Sequence, residues 1–326
     1  MSNKSITIDE KGQGQRLDHF LVAEMPELSR SKVQKLIKDG MVAVNGKLPT
    51  VHQFLKTEDQ IEILVKPLSL PKKEIKKDKA NKRPAKDFSV EKANALWKKI
   101  KIVDDTPDYL VIEKPSGLLV HPTDKKETDT LIDWAEKNYP EVAKIGDEPG
   151  RAGIVHRLDK EVSGLMVIPK TQDAFEHFKR LFKTRQMGKH YTALVHGRID
   201  RDEGEIDFPI GRSSSKPGLY AAMAKNSEEG RPSKTIFHVL QKFINYTLLE
   251  VEIMTGRTHQ IRVHMLAYGH PVVGDVLYAK KLAEKSHCPR IFLHATRLAF
   301  VDPSGEKKEY ESELPGGLKD FLKKVK

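Results

Sequence analysis

The sequence predicts an α+β protein in which a small amino-terminal α/β domain precedes a larger domain built on a mixed, mostly antiparallel sheet with flanking helices. Its 326 residues are enough for two domains. Up to residue 66, two helical patterns precede short strand-like runs. After residue 101, strand-like runs dominate and do not alternate regularly with helices, which disfavours a doubly wound sheet. We therefore predict domains over 1–66 and 101–326, with a basic flexible linker over 67–100.

The amino-terminal segment has helical spacing of apolar residues over 16–20 and again over 29–38. Ser29 is a candidate helix cap, and Gly40 ends the second helix. Strand-like runs follow over 42–44 and 61–65, with a hairpin-type turn at Asn45-Gly46. The cationic residues of the second helix lie away from its apolar stripe, a pattern that by itself favours a solvated helix face.

The next segment is strongly basic and poor in large apolar residues. Residues 66–86 contain nine Lys or Arg and two acids. Such a segment buries too little surface to offset the entropy of ordering, so we predict a flexible linker. Its charge could still bind nucleic-acid phosphates without regard to base sequence. Residues 89–99 have the pattern of a short amphipathic helix that carries Trp97.

The amino-acid composition limits which binding partners and which cellular compartment we expect for this protein. The net charge is +11, which favours a polyanionic partner, with nucleic acid as the first candidate and a membrane surface as the second. No apolar run approaches the roughly 20 residues of a spanning helix, and the start lacks a signal core. The single cysteine, Cys288, excludes an internal disulfide and a thiolate cluster. We expect a cytoplasmic protein that acts as a monomer.

In the second domain, a turn at 114–117 follows the strand-like run 109–112. Helical patterns cover 131–139 and 173–184, and the second of them carries Phe175, Phe178, Leu181 and Phe182 on one face. Further strands are predicted over 191–195, 233–240, 246–253 and 291–300.

A charged loop is predicted to enter a buried strand. Residues 156–159 (His-Arg-Leu-Asp) come before a turn signal at Ser163-Gly164 and the apolar run 165–168. Asp159 is flanked by Arg157 and Lys160, and nearby positive charge favours the ionised form of an acid. The same Arg-Leu-Asp tripeptide at 16–18 accompanies no sign of chemistry, so the tripeptide alone does not identify a catalyst.

A second charged segment, 255–265, contains Arg257, His259, Arg262 and His264 after a strand. Two guanidiniums near a helix start suit anion binding or pairing with a buried acid. The two histidines stand five apart without a Glu or Cys partner, which disfavours a metal site. Tyr191, which opens a strand, is either a core aromatic or a stacking platform for a nucleobase. Nucleotide-binding loops and the serine-hydrolase elbow are missing.

Two resemblances follow from these segments. Residues 1–66 resemble the small RNA-binding module of the S-four type, through Arg16-Leu17-Asp18, Leu28-Ser29-Arg30-Ser31, Lys35-Leu36-Ile37 and Val44-Asn45-Gly46. Residues 101 to about 322 resemble the RluA-type pseudouridine synthases, the branch that modifies large-subunit ribosomal RNA and some transfer RNA. Six ordered blocks carry the second match: Lys114 to Pro122, Gly153 to Leu165, Lys189 to Ala193, Thr255 to His264, Gly269 to Tyr278, and Leu293 to Ala295.

The resemblance implies conversion of uridine to pseudouridine without a cofactor or a metal. Asp159 matches the catalytic Asp, Arg262 its cationic partner, and Tyr191 the residue that stacks on the uracil. Arg157 matches the residue that fills the space left by the flipped base. We expect RNA contacts from the following residues: Arg16, Ser29, Arg30, Lys32, Lys35, Arg257 and His259.

Two alternatives stay open on the sequence. The first is a non-catalytic RNA-binding factor in ribosome assembly, which would have the same charge and the same amino-terminal module. The second is a synthase of the same type whose substrate is transfer RNA. A metal-dependent nuclease or deaminase lacks a recognisable ligand set.

Overall fold

The structure, a computed structural model, describes residues 4–9, 12–28, 30–50, 53–64, 95–123, 127–147, 153–225, 227 and 229–325. The chain divides into two compact units, Met1–Ala85 and Lys86–Lys326. None of the helices in the described ranges combines the length and apolar character that crossing a bilayer requires.

The first unit packs two helices on a three-stranded antiparallel sheet of order β1-β3-β2. Its elements are β1 (Lys4–Thr7), α1 (Leu17–Glu24), α2 (Arg30–Lys38), β2 (Val42–Val44) and β3 (Gln60–Ile63). Val33 and Ile37 of α2 are buried, as their spacing predicts. Asn45 and Gly46 both have positive φ and form the predicted turn, closed by hydrogen bonds between Val44 and Lys47. The predicted cap, Ser29, lies outside the described residues.

The second unit is built on a sheet of nine strands in the order β4-β5-β6-β13-β7-β12-β11-β8, with β14 paired to β13. Among the described strands of this sheet, only β6 and β13 pair in parallel, which confirms the mixed, mostly antiparallel class. The strands are β4 (Lys101–Asp105), β5 (Tyr109–Lys114), β6 (Ser163–Pro169), β7 (Gly188–His196), β8 (Glu203–Ile206), β11 (Thr235–Lys242), β12 (Tyr246–Ile253), β13 (Leu293–Val301) and β14 (Lys307–Glu311); β9 (Ile210–Arg212) and β10 (Tyr220–Ala222) form a separate pair.

Helices cover both faces of this sheet. They are α3 (Leu131–Asn138), α4 (Gln172–Thr184), α5 (Gln260–Ala267), α6 (Lys280–Ser286) and α7 (Gly316–Lys324), with a 3-10 turn at Pro140–Lys144. The main core joins α3 and α5 to one face of the strands, whereas α4 and α7 pack in clusters formed by side chains of the opposite face. Along β5, Leu110 and Ile112 enter the main core while Tyr109 and Val111 pack with α4, the two-residue alternation of a strand.

One sequence expectation is wrong in detail, and a second is only partly described. Ser163 and Gly164 are the first residues of β6 and do not form a turn. Gly164 has a φ of 125°, and a Cβ there would collide with the backbone of Ala295 on the neighbouring strand, so this glycine permits close strand pairing. Residues 95–97 are helical, and Leu96, Trp97 and Ile100 pack against the main core of the second unit. The earlier part of the helix predicted over 89–99 lies outside the described residues.

Candidate active site

The loop 153–162 places Asp159 at one side of a pocket in the second unit. The Asp159 side chain is 18% exposed, and its Oδ2 lies 3.1 Å from Arg262 Nη1 and 3.8 Å from His259 Nε2. Among the described residues, Oδ1 has no hydrogen-bond partner. One carboxylate oxygen is therefore fixed by the protein, and the other is available for a ligand.

Arg262 joins two carboxylates. Its Nε and Nη2 donate to the two oxygens of Asp275, each at 2.8 Å, and its Nη1 donates to Asp159. Burial lowers the pKa of the Arg262 guanidinium, but the hydrogen bonds and charges of Asp275 and Asp159 more than offset this effect, so its pKa is raised overall. Asp275 is only 1% exposed, so Arg262 is the cation that compensates this carboxyl group in the protein interior. The predicted partnership of Asp159 and Arg262 is present in the structure.

Asp275 is a buried partner of Arg262 that the sequence alone did not single out. Its Oδ1 also accepts hydrogen bonds from the backbone N–H groups of Leu277 and Tyr278. The Tyr278 ring lies 5.0 Å from the guanidinium carbon of Arg262. The sequence signal that could have identified Asp275 is an acidic residue directly after Gly274, within one of the blocks that carry the resemblance.

Tyr191 lies on β7 between β12 and β13, where it faces Val251 and Ala295. It is 7% exposed and belongs to both the main core and the pocket wall. Burial raises the pKa of the Tyr191 hydroxyl, and the charge of Asp159 raises it further. The hydroxyl has no hydrogen-bond partner within the described ranges. Tyr191 therefore offers a neutral aromatic surface beside the carboxylate.

One pocket brings together the four predicted catalytic residues and two of the predicted RNA-binding residues. Apolar side chains and two arginines besides Arg262 line this pocket together with Asp159. The lining residues are Arg157, Leu158, Asp159, Val162, Tyr191, Ile253, Gly256, Arg257, Thr258, His259, Gln260, Ile261, Arg262 and Leu293. The pocket therefore offers a ligand both apolar contacts and the carboxylate of Asp159.

Arg157 is exposed at this pocket, and its Nη1 lies 3.0 Å from His121 Nε2. Local charge in the sequence led us to expect Arg157 and Lys160 beside Asp159, whereas the family resemblance gave Arg262 as its partner. In the structure, Arg262 provides the hydrogen-bonded cation of Asp159.

Two histidines of the charged segments have structural contacts. His156 stacks on Phe182, its Nε2 accepts a hydrogen bond from the Val167 N–H, and burial lowers its pKa to about 3. His264 contacts the Thr235 hydroxyl and the Phe208 carbonyl through its two ring nitrogens. Within the described ranges, no three His, Cys, Asp or Glu side chains group as a metal site would need.

In the first unit, the predicted RNA-binding residues of α2 are only partly described. Lys32 and Lys35 are exposed on the face opposite the buried Val33 and Ile37. For Arg30 only the backbone is described. Arg16 donates two hydrogen bonds of 3.0 Å to Asp18, which also accepts from Gln34. Because Asp18 is fully buried, the first Arg-Leu-Asp tripeptide has a structural role in this unit.

The backbone that follows Asp159 is held by donors from two other segments. Lys114 is fully buried, and its Nζ donates to the carbonyls of Leu118, Pro115 and Lys160. Gly117 N–H also donates to Lys160 O. The next carbonyl, that of Glu161, accepts from the Ser116 hydroxyl and from Arg290 Nη1. The motif at 114–117 thus anchors the loop that carries Asp159.

We expect Lys114→Met to lower the rate of the reaction at this site by about 10²-fold, because a shift of about 1 Å in a reacting group has an effect of this size. Binding of the substrate should be retained, since the pocket lining excludes Lys114. Single-turnover rates and binding constants measure the two effects. Lys101→Met, at a 72% exposed lysine, is the matched control and should behave as wild type. An unchanged rate in Lys114→Met would contradict the anchoring role.

The same variant should change how stability depends on pH. Burial lowers the pKa of the Lys114 ammonium from 10.5 to about 7. Between these values the unfolded chain binds more protons than the folded protein, so the free energy of unfolding should gain a contribution that rises with pH. Urea unfolding across this window should show a smaller rise in Lys114→Met than in wild type. Equal slopes would show that the buried amine does not titrate there.

Two family models match parts of the chain. Residues 108–267 match the family model of RNA pseudouridylate synthases, and residues 15–61 match that of the S4 domain. The chain is 33% identical over 327 residues to an uncharacterized RNA pseudouridine synthase of Bacillus subtilis, covering 100% of this chain and 99% of that protein. It is 33% identical over 328 residues to ribosomal large subunit pseudouridine synthase D of Nitrosomonas europaea, covering 98% and 87%.

Two solved human structures are also similar. RNA pseudouridylate synthase domain containing 1 aligns with a TM-score of 0.55 and 28% identity, over 67% of this chain and 85% of that chain. RNA pseudouridylate synthase domain containing 4 aligns with a TM-score of 0.54 and 28% identity, over 72% and 95%. Sequence and fold thus agree with both resemblances found in the sequence.

Proposed function

Since the chain belongs to the RNA pseudouridine synthase family, we propose that it converts specific uridines of large-subunit ribosomal RNA to pseudouridine, with Asp159 as the reacting carboxylate. The observation that carries the proposal is the ion pair of the half-buried Asp159 with the buried Arg262, beside Tyr191 in one pocket. The ribosomal substrate is supported by the relative named for the large subunit, by the S4 domain and by the net charge of +11.

The reaction is an isomerisation. The bond from N1 to the ribose C1′ breaks, the uracil turns, and C5 forms the new bond to the same carbon. C5 loses its hydrogen and N1 gains one, so the nucleoside changes neither its composition nor its oxidation level. A carboxylate beside C1′ can act as the nucleophile or as the base that begins this exchange. Oδ1 of Asp159 is the oxygen for this step, because Oδ2 is engaged by Arg262.

The target base must leave the RNA helix to reach this pocket, at a cost of a few kcal/mol. Arg157 is the candidate to occupy the space that the base leaves, since it is exposed and lines the pocket. Arg257 is the candidate phosphate contact near the site, and Lys32 and Lys35 are candidates in the first unit. We also propose that the enzyme acts as a monomer in the cytoplasm, where it would meet ribosomal RNA.

Two substitutions of Tyr191 test how the pocket holds the uracil. We expect Tyr191→Ala to reduce turnover by about 10- to 100-fold, because stacking of a base on an aromatic ring contributes about 1–3 kcal/mol. Tyr191→Phe should stay within about threefold of wild type, since it keeps the ring and removes only a hydroxyl that has no hydrogen-bond partner among the described residues. Steady-state assays on the same RNA compare the two variants. If the phenylalanine variant were as impaired as the alanine variant, turnover would depend on the Tyr191 hydroxyl and not on stacking by its ring.

The substrate can be identified by mapping pseudouridines in total RNA from cells with and without this gene. We expect sites to disappear from large-subunit ribosomal RNA and to return when the wild-type gene is restored. Loss of sites from transfer RNA alone would replace the proposed substrate. If no site is lost and the purified protein binds RNA without modifying it, the non-catalytic assembly factor is favoured.

A further inference from the structure

His259 is held in one position between Asp159 and Tyr278. Its Nδ1 lies 2.8 Å from the Tyr278 hydroxyl oxygen, and its Nε2 lies 3.8 Å from Asp159 Oδ2. The residue has a φ of 57° and immediately precedes α5. A non-glycine residue keeps this left-handed conformation only where its surroundings impose it. The fold therefore keeps this imidazole at the pocket wall in spite of a backbone cost.

The contacts of Tyr278 decide which ring nitrogen of His259 carries the proton. The Tyr278 oxygen accepts a hydrogen bond from the Tyr220 N–H at 3.2 Å. Among the described residues, its own proton has one acceptor, His259 Nδ1. If Nδ1 carried a proton instead, the hydroxyl proton would lack an acceptor and the Nε2 lone pair would face the Asp159 carboxylate. Both costs favour the tautomer with hydrogen on Nε2.

Burial favours the neutral form of the His259 ring. Burial lowers the pKa of His259, and the charges of Arg262 and Arg157 lower it further, while Asp159 and Asp275 act in the opposite direction. A neutral imidazole attracts a phosphate less than a cation does. We therefore look for the RNA contact of His259 at the base and not at a phosphate.

We propose that the Nε2–H of His259, set by Tyr278, donates a hydrogen bond to the flipped uridine at the uracil carbonyl oxygen next to N1. This inference rests on the proposed function. At 3.8 Å the Nε2–H is too far from Asp159 Oδ2 for a hydrogen bond, so its proton is available to a ligand. When the bond from N1 to C1′ breaks, negative charge spreads onto that carbonyl oxygen. A fixed donor at such a position stabilises the transition state more than the ground state.

The first test compares two substitutions at the same position. His259→Gln keeps an N–H donor near the place of Nε2, whereas His259→Leu removes it. We expect the single-turnover rate at saturating enzyme to fall about 10²- to 10³-fold in His259→Leu and less than about tenfold in His259→Gln. The dissociation constant of the RNA should be unchanged in both. Weaker RNA binding with an unchanged rate would overturn the proposal.

The second test addresses Tyr278 as a positioning residue. Tyr278→Phe removes the hydroxyl but keeps the ring beside Arg262. We expect about a tenfold lower rate in the wild-type background and no further loss in the His259→Gln background, because coupled residues are not additive. An equal loss in both backgrounds would show that Tyr278 does not act through His259.

Nitrogen NMR of histidine-labelled protein gives a readout without turnover. The His259 signal, identified by its absence in His259→Gln, should show the proton on Nε2 in wild type and a mixture of tautomers in Tyr278→Phe. A proton on Nδ1 in wild type would refute the inference even if the enzyme is active. If the wild-type protein modifies no RNA, the proposed function fails, and with it the donor role, whatever the tautomer.

Discussion

Asp159→Asn should abolish pseudouridine formation while the fold and RNA binding persist. The asparagine side chain has nearly the same size and can still accept the Arg262 Nη1–H, so the pocket should keep its shape. Its amide is neither a nucleophile nor a base. We expect the rate to fall by about 10⁴-fold or more, the range observed when an enzyme loses a reacting group.

The measurement follows from the chemistry, because the reaction replaces the hydrogen on C5 of the target uridine. RNA labelled with tritium at that carbon should release its label with wild-type protein and keep it with the variant. Asp147→Asn is a matched control, since that carboxylate is 53% exposed and pairs with Lys179 on the surface. Release of label by Asp159→Asn at a rate near wild type would remove Asp159 from the reaction.

Buried elements could be predicted from the sequence because their side chains follow the period of the secondary structure. Strand β12 matches the predicted range 246–253 from end to end, and α4 buries Phe175, Phe178 and Leu181 as their spacing indicated. The missed strands include β8 and β14, at or near an edge of the large sheet. Their sequences are Glu-Gly-Glu-Ile and Lys-Lys-Glu-Tyr-Glu, and charge on such strands conceals the alternation.

The candidate site shows a second limit of prediction from sequence. Asp159 and Arg262 are 103 residues apart, so no local pattern could pair them, and the expectation came from the family resemblance. Local charge pointed to Arg157 and Lys160, but the hydrogen-bonded cation comes from α5. Asp275, Lys114 and Arg290 act through contacts with other segments, which spacing along the chain does not reveal. Their positions depend on the tertiary fold.

Arg262→Met should impair both stability and activity. It leaves the buried Asp275 carboxylate without its cation, and breaking a buried pair in this way costs about 3–5 kcal/mol. For a unit of this size each kcal/mol lowers the melting temperature by about 2–4 °C, so we expect a fall of roughly 10 °C. Arg262→Lys should be intermediate in stability, because one ammonium does not reproduce the fork that contacts two carboxylates.

A double variant separates the two roles of this arginine. Asp275→Asn, added to Arg262→Met, removes the uncompensated charge, and the amide oxygen can still accept the Leu277 and Tyr278 N–H groups. Much of the lost stability should therefore return, which thermal unfolding can measure. Turnover should stay at least about 10²-fold below wild type, because Asp159 still lacks its charged hydrogen-bond partner. If turnover recovered together with the melting temperature, Arg262 would serve the fold alone, and the pair with Asp159 would not contribute to the reaction.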